Sequence, residues 1–300
     1  MRSSFTHLLL ALTLASSTAY AENSDALYKQ GLALKQEGKI DDAIKKLEDA
    51  VAANPRHGMA WSSLGNLYKG KQDIPKAVKA YEMATAVIKK DKNLWENLGM
   101  AYYRNKQLDQ ALSALKTAAD IDPKDAQIRS NLGTVKRQKG DTAGAIADLE
   151  MAVKLKPTDG GYFNNLGVAY RHAKRNDDAV KSFQKAVELS PNDPGFHFNL
   201  ATVYRRKEMF EEAAGEYEKS VGLDPGNADA WFDLGFVHKQ LRNNDKAIAA
   251  FQKYLELNKG KDTEAEKRVK DELGSIGGGP KKGPDKVPTP TPTPTPTPKK

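Results

Sequence analysis

Trp61-Ser62-Ser63-Leu64-Gly65-Asn66-Leu67-Tyr68 decides the fold, because its pattern returns along the chain at a fixed interval. Trp95 to Tyr102 and Phe163 to Tyr170 lie one and three intervals of 34 residues further on. Gly31, Gly65, Gly99, Gly133, Gly167 and Gly235 keep the same ruler, with Ala201 in the one gap. Ala43, Ala77, Ala111, Ala145, Ala179, Ala213 and Ala247 keep it without a gap. Four residues after each alanine comes Leu47, Tyr81, Leu115, Leu149, Phe183, Tyr217 or Phe251. Pro55, Pro123, Pro157, Pro191 and Pro225 close five units, and Lys89 and Lys259 stand in the other two places. Seven units follow without insertion: 24–57, 58–91, 92–125, 126–159, 160–193, 194–227 and 228–261.

Each unit reads as a pair of helices. Leu64 and Tyr68 are four apart and share one helical face. Gly65 and Ala77 are small where the two helices of a unit must approach closely. Asp41, Asp109, Asp177 and Asp245 fall near the start of the second helix, where a carboxylate is expected to cap free N–H groups and suit the dipole. Pro75 takes the first-turn place in the second unit, where proline is tolerated, and the later prolines stop a helix. One pair alone has little to bury, so stacking supplies the core.

The pattern resembles the tetratricopeptide repeat, whose signature is W-x2-L-G-x2-Y, then A-x3-F, then P. The resemblance covers about four-fifths of the chain and implies an all-α fold, a right-handed α-solenoid superhelix of seven helix–turn–helix repeats with the first helices on the concave side. Arg129, Lys136, His197 and His238 occupy signature aromatic places and are expected to loosen the fourth, sixth and seventh repeats. At the far end, Ala265, Val269 and Leu273 make a one-sided stripe, so 262–273 reads as a capping helix that completes an array spanning 22–273. Only Glu22 and Asn23 precede the first repeat, which predicts fraying there.

The two termini are different material. Arg2, the apolar run from Leu8 to Ala15 and the small residues before Ala21 read as a signal peptide over 1–21. The mature chain is then exported, to a bacterial periplasm or to the medium. From Gly274 the chain becomes Gly-rich and then alternates Pro and Thr from Pro288 to Pro298, ending in Lys299-Lys300. Residues 274–300 therefore read as an extended, disordered tail, either inert or in contact with an anionic envelope polymer.

Two rows of side chains carry the functional expectation. The sixth residue of successive repeats gives Asn97, Asn131, Asn165 and Asn199, and asparagine is a mediocre helix former, so propensity does not explain it. An amide offers donor and acceptor together, matching an extended peptide backbone. Similar ladders line the repeats of the O-linked N-acetylglucosamine transferase and imply that role here. The alternative is that the asparagines bond neighbouring backbone and only maintain the array. The twelfth and thirteenth residues give Lys69, Arg104, Arg137, Arg171, Arg205, Arg206 and Lys239, a basic row suited to an acidic partner. Phe198, Phe232 and Phe236 make a candidate apolar anchor near the last repeats.

Composition narrows the rest. The chain has 300 residues, 29% charged and 39% hydrophobic, and it contains no cysteine, which excludes disulfides, a thiol nucleophile and a cysteine zinc site. Of the net charge of +8, Arg2 supplies one and the tail four, so the array holds only +3 and argues for no nucleic-acid partner. Mean hydropathy is −0.66, and no stretch is long enough to span a membrane. His57, His172, His197 and His238 lie apart in sequence, so no metal or cofactor is expected, and no nucleophile elbow or phosphate loop occurs. The sequence thus predicts a non-enzymatic exported scaffold that binds extended protein or peptide segments in cell-envelope assembly. A structural anchor for an anionic wall or exported polysaccharide is the alternative, and self-association is a third reading.

Overall fold

In the computed structural model, residues 22–277 are described; the expected leader 1–21 and the tail beyond 277 lie outside them. All regular structure among the described residues is helical. The chain divides into two compact units, Met1–Pro191 and Asn192–Lys300.

The first unit stacks five helix hairpins. They are α1 (22–36) with α2 (Ile40–Ala53), α3 (Gly58–Gly70) with α4 (Ile74–Val87), α5 (Lys92–Arg104) with α6 (Leu108–Ile121), α7 (Ala126–Lys139) with α8 (Thr142–Leu155), and α9 (Gly160–His172) with α10 (Asn176–Leu189). The second unit holds α11 (Pro194–Arg206) with α12 (Phe210–Leu223), α13 (Ala228–Gln240) with α14 (Asn244–Asn258), and a closing helix α15 (Thr263–Gly277). Within each unit, every second helix also packs on the first helix of the next hairpin.

The small and large positions of the repeat meet as their spacing requires. Tyr81, Leu115, Phe183, Tyr217 and Phe251 are fully buried. A Cβ built on Gly65 would lie 2.5 Å from the Tyr81 ring, and one on Gly235 would collide with the Phe251 ring. Glycine there is a condition of close helix approach, while both residues keep ordinary helical backbone.

Capping differs from expectation in one respect. Asp91, Asp125, Asp159 and Asp193 cap first helices through side-chain acceptance of backbone N–H groups. Asp41, Asp109, Asp177 and Asp245 instead lie inside the first turn of second helices that have no side-chain cap, so they act through the dipole alone. The turn joining the two helices of each hairpin passes through a left-handed residue at 34-residue intervals: Gly38, Gln72, Lys106, Gly140, Lys174, Glu208 and Arg242.

Both ends are better held than the sequence suggests. Ser24 is buried and its Oγ donates to the Ala50 carbonyl at 2.8 Å, tying the start of α1 to α2 where fraying was expected. The closing helix continues through 274–277, beyond the expected boundary at 273. The reason is Ile276, which extends the stripe of Val269 and Leu273 and packs, like Leu273, against the cluster of Ala247, Phe251, Tyr254 and Val269.

Candidate functional site

In the first unit the expected amide row and basic row are parts of one system of bonds between repeats. Lys69 Nζ on α3 donates to Asn97 Oδ1 on α5 at 2.9 Å, across 28 residues. Asn131 Nδ2 on α7 donates to Glu96 Oε1 on α5 at 2.9 Å, and its Oδ1 accepts from Gln127 Nε2 at 3.1 Å. Tyr162 on α9 extends the chain by donating to Gln127 Oε1 at 3.2 Å, and Asn165 Nδ2 donates to Ser130 Oγ at 3.0 Å. Asn131 is only 8% exposed. With both ends of its amide engaged, it positions α7 against α5, which departs from the ligand contact anticipated for it. Asn97 and Asn165 are half-buried, and so is Asn199, on α11 of the second unit.

The charges on this wall follow from burial. Burial, and then the nearby Asp125 charge, raise the Glu96 carboxyl above its usual range, against the pull of Asn131, Lys92 and Lys69. Burial lowers Lys69, reinforced by the Arg104 charge. Arg104 is exposed, Arg137 and Arg171 are half-buried, and neither Arg104 nor Arg137 has an ion-pair partner among the described residues.

The second unit gathers four of the expected residues into one pocket of about 430 Å³. Arg205 and Arg206 of α11, Phe232, Asp233 and Phe236 of α13, and Arg268 of α15 line it, joined by Glu208, Phe210 and Gln240. Arg205 Nη2 approaches Asp233 Oδ2 at 3.4 Å across the same 28 residues that separate Lys69 from Asn97. Tyr217 Oη donates to the same carboxylate oxygen at 2.9 Å. Burial raises the Asp233 carboxyl, opposed by Arg205 and by the Tyr217 hydroxyl. The Arg268 guanidinium sits 4.3 Å from the Phe236 ring centre and 5.6 Å from that of Phe232. The two rings lie 4.8 Å apart, and Phe236 meets the core ring of Phe251 edge-on at 5.0 Å.

Two expected site residues are used otherwise. Phe198 packs edge-on against Tyr217, 5.7 Å away, so the apolar anchor consists of Phe232 and Phe236 without it. Lys239 pairs with Glu272 and ties α13 to α15. Arg268 escaped the sequence reading because it belongs to no repeat; its only signal is that it immediately precedes Val269 of the buried stripe.

The unusual residues at signature aromatic places are all bound. Elsewhere Trp61, Trp95 and Trp231 donate Nε1 to a carbonyl six residues back, and Tyr68, Tyr102 and Tyr170 donate to a glutamate twenty residues back. Arg129 keeps the first pattern through the Pro123 carbonyl, and together with Lys136 it meets the buried Asp148 at 3.2 and 2.6 Å. His197 meets Glu216 at 2.5 Å, and His238 meets Glu218 at 3.3 Å. Where loosening was expected, charged pairs bind the two helices of the fourth repeat, His197 bonds Glu216 within the sixth, and His238 reaches Glu218 of the preceding repeat. Burial lowers the His238 pKa, with Glu218 opposing. Among the described residues there is no cluster of three or more metal-ligating side chains, and no helix is long and apolar enough to cross a membrane.

Solved structures share this architecture. A tetratricopeptide repeat protein from Parabacteroides merdae aligns with TM-score 0.66 at 16% identity, over 85% of this chain and 99% of that one. The C-terminal part of a repeat protein from Cytophaga hutchinsonii gives 0.62 at 22%, over 82% and 99%. YrrB, described as a TPR protein with an unusual peptide-binding site, gives 0.52 at 24%, over 65% and 100%. At these identities the likeness concerns the fold. No curated protein matches the chain. The family model described as the cilia and flagella-associated protein 70 C-terminal domain matches residues 6–231, and the tetratricopeptide repeat model matches 228–261. By the repeats, the hairpins and these matches, the chain belongs to the tetratricopeptide-repeat family.

Proposed function

We propose that this protein is a non-catalytic scaffold that binds extended protein or peptide segments along its first helices, and that it works outside the cytoplasm in assembling a cell-envelope complex. The fold is that of a protein-interaction scaffold. The observation that carries the finer reading is the first-unit wall, where half-buried Asn97 and Asn165 stand beside the cations Lys69, Arg104 and Arg137. Asn97 lends its oxygen to Lys69 and keeps its N–H donors for a backbone carbonyl. The neutral amide does not itself cancel the lysine charge; Glu96 opposes it, and Arg104 and Arg137 leave the wall positive, so it attracts carboxylates spaced along a partner. A net hydrogen bond contributes about 0.5–1.5 kcal/mol, so a few rungs give weak, salt-sensitive binding.

The N-terminal pattern supports export, and crosslinking in intact cells tests both claims. Photo-crosslinker placed at Gln138, exposed beside Arg137, should capture a defined envelope protein. Arg104→Glu with Arg137→Glu should abolish that adduct while far-ultraviolet helicity stays unchanged. Equal capture by the doubly reversed chain removes the wall from the function.

A further inference from the structure

We propose that the second-unit pocket receives a glutamate or aspartate side chain of a partner peptide together with an adjoining apolar side chain. This rests on the reading that the chain binds peptide segments, but it concerns the second-unit pocket and names the ligand chemistry.

Charge bookkeeping inside the pocket selects the anion. Arg205 is matched by Asp233, whose oxygen is further satisfied by Tyr217. A cationic ligand therefore finds that half-buried carboxylate already engaged. Arg206 and Arg268 are exposed and have no ion-pair partner among the described residues; Glu208 lines the pocket with them, and Asp233, already matched to Arg205, also feels the Arg268 charge. One positive charge is left over. Arg268 lies over the Phe236 face, a contact that leaves its in-plane N–H donors for an acceptor. Planar guanidinium groups suit a carboxylate, and the Phe232–Phe236 pair beside them supplies an apolar seat. A volume of about 430 Å³ accommodates two side chains and is too small for a folded partner. The chain's own tail carries Lys281, Lys282, Lys286, Lys299 and Lys300 against the single Asp285, so its sign is wrong for this seat. The closing helix thereby contributes a binding residue in addition to shielding the core.

Fluorescence anisotropy on the full chain tests this with four short C-terminally amidated peptides carrying Glu-Phe, Gln-Phe, Glu-Ser or Gln-Ser in a Gly-Ser background. Glu-Phe should bind at least about tenfold more tightly than Gln-Phe and than Glu-Ser. Arg206→Gln with Arg268→Gln should erase the Glu-over-Gln preference, and Arg268→Lys should restore part of it. Helicity by circular dichroism identifies variants that fail to fold, in which case Arg206→Gln alone decides. Equal binding of Glu and Gln peptides, a preference that survives the double substitution, or no binding of any peptide overturns the proposal. A Gln-Phe peptide with a free C-terminus that outbinds amidated Glu-Phe also overturns it, since the carboxylate would then be terminal. If the wall still captures its partner while the pocket shows no acid preference, this inference alone fails.

Discussion

The two units solve the same cross-repeat contact with different chemistry. Lys69 and Asn97 in the first unit and Arg205 and Asp233 in the second are each 28 residues apart and bonded. An ammonium on an amide keeps its charge, whereas a guanidinium on a carboxylate loses its field. The first unit is thus basic along its repeats. In the second, it is the pocket that is positive, through Arg206 and through Arg268 of the closing helix. One repeat geometry can therefore present different surfaces, because the sixth residue decides whether the twelfth stays electrically visible.

The comparison breaks most visibly at the core. Phe251→Ala empties a fully buried site beside Gly235 and should cost the second unit about 3–5 kcal/mol. Hydrogen exchange should show α13 and α14 losing protection while α3 to α6 keep theirs, as nearest-neighbour stability requires. A smaller effect separates two asparagines of one row. Asn131→Ala strips the half-buried Glu96 of its donor and should cost about 1–3 kcal/mol in urea unfolding. Asn97→Ala leaves Lys69 open to hydration and should cost about 1 kcal/mol or less.

The smallest effect is pH-dependent. His238 is buried with a lowered pKa, so the folded state binds its proton less readily than the unfolded chain does. Its contribution is present above the ordinary histidine value of about 6.5 and is lost as pH falls through that value toward the folded one. His238→Tyr restores the hydroxyl-to-glutamate pattern of Tyr68 and Tyr170. That variant should lose less stability than the parent between neutral and mildly acid pH; equal losses would show that His238 does not titrate with unfolding.

Glycine, alanine and aromatic spacing made the hairpins legible in the sequence, because close helix packing admits few residues at those places. The candidate site was legible in part. Arg205, Arg206, Phe232 and Phe236 were named and do converge. The two rows read as separate because each follows one repeat position, while bonds run from the twelfth residue of one repeat to the sixth of the next. Asn131 was read as solvent-facing because its type recurs, yet Glu96 and Gln127 enclose it. Arg268 was missed because nothing periodic marks it. The substitutes Arg129 and Lys136 looked like defects since their shared partner Asp148 stands outside the signature.

The left-handed residue inside every hairpin has a consequence for how freely the sequence can drift. Five of its seven occupants, Gln72, Lys106, Lys174, Glu208 and Arg242, are not glycine, although each has φ near +60°. Such a side chain costs roughly 1–2 kcal/mol in this backbone, yet glycine would loosen the unfolded chain by roughly 0.4–1 kcal/mol. The opposing terms leave little net preference, and polar residues become nearly interchangeable there. The bend is dictated by the helices on either side, so these joints can wander in identity over evolutionary time while the hairpins keep their shape.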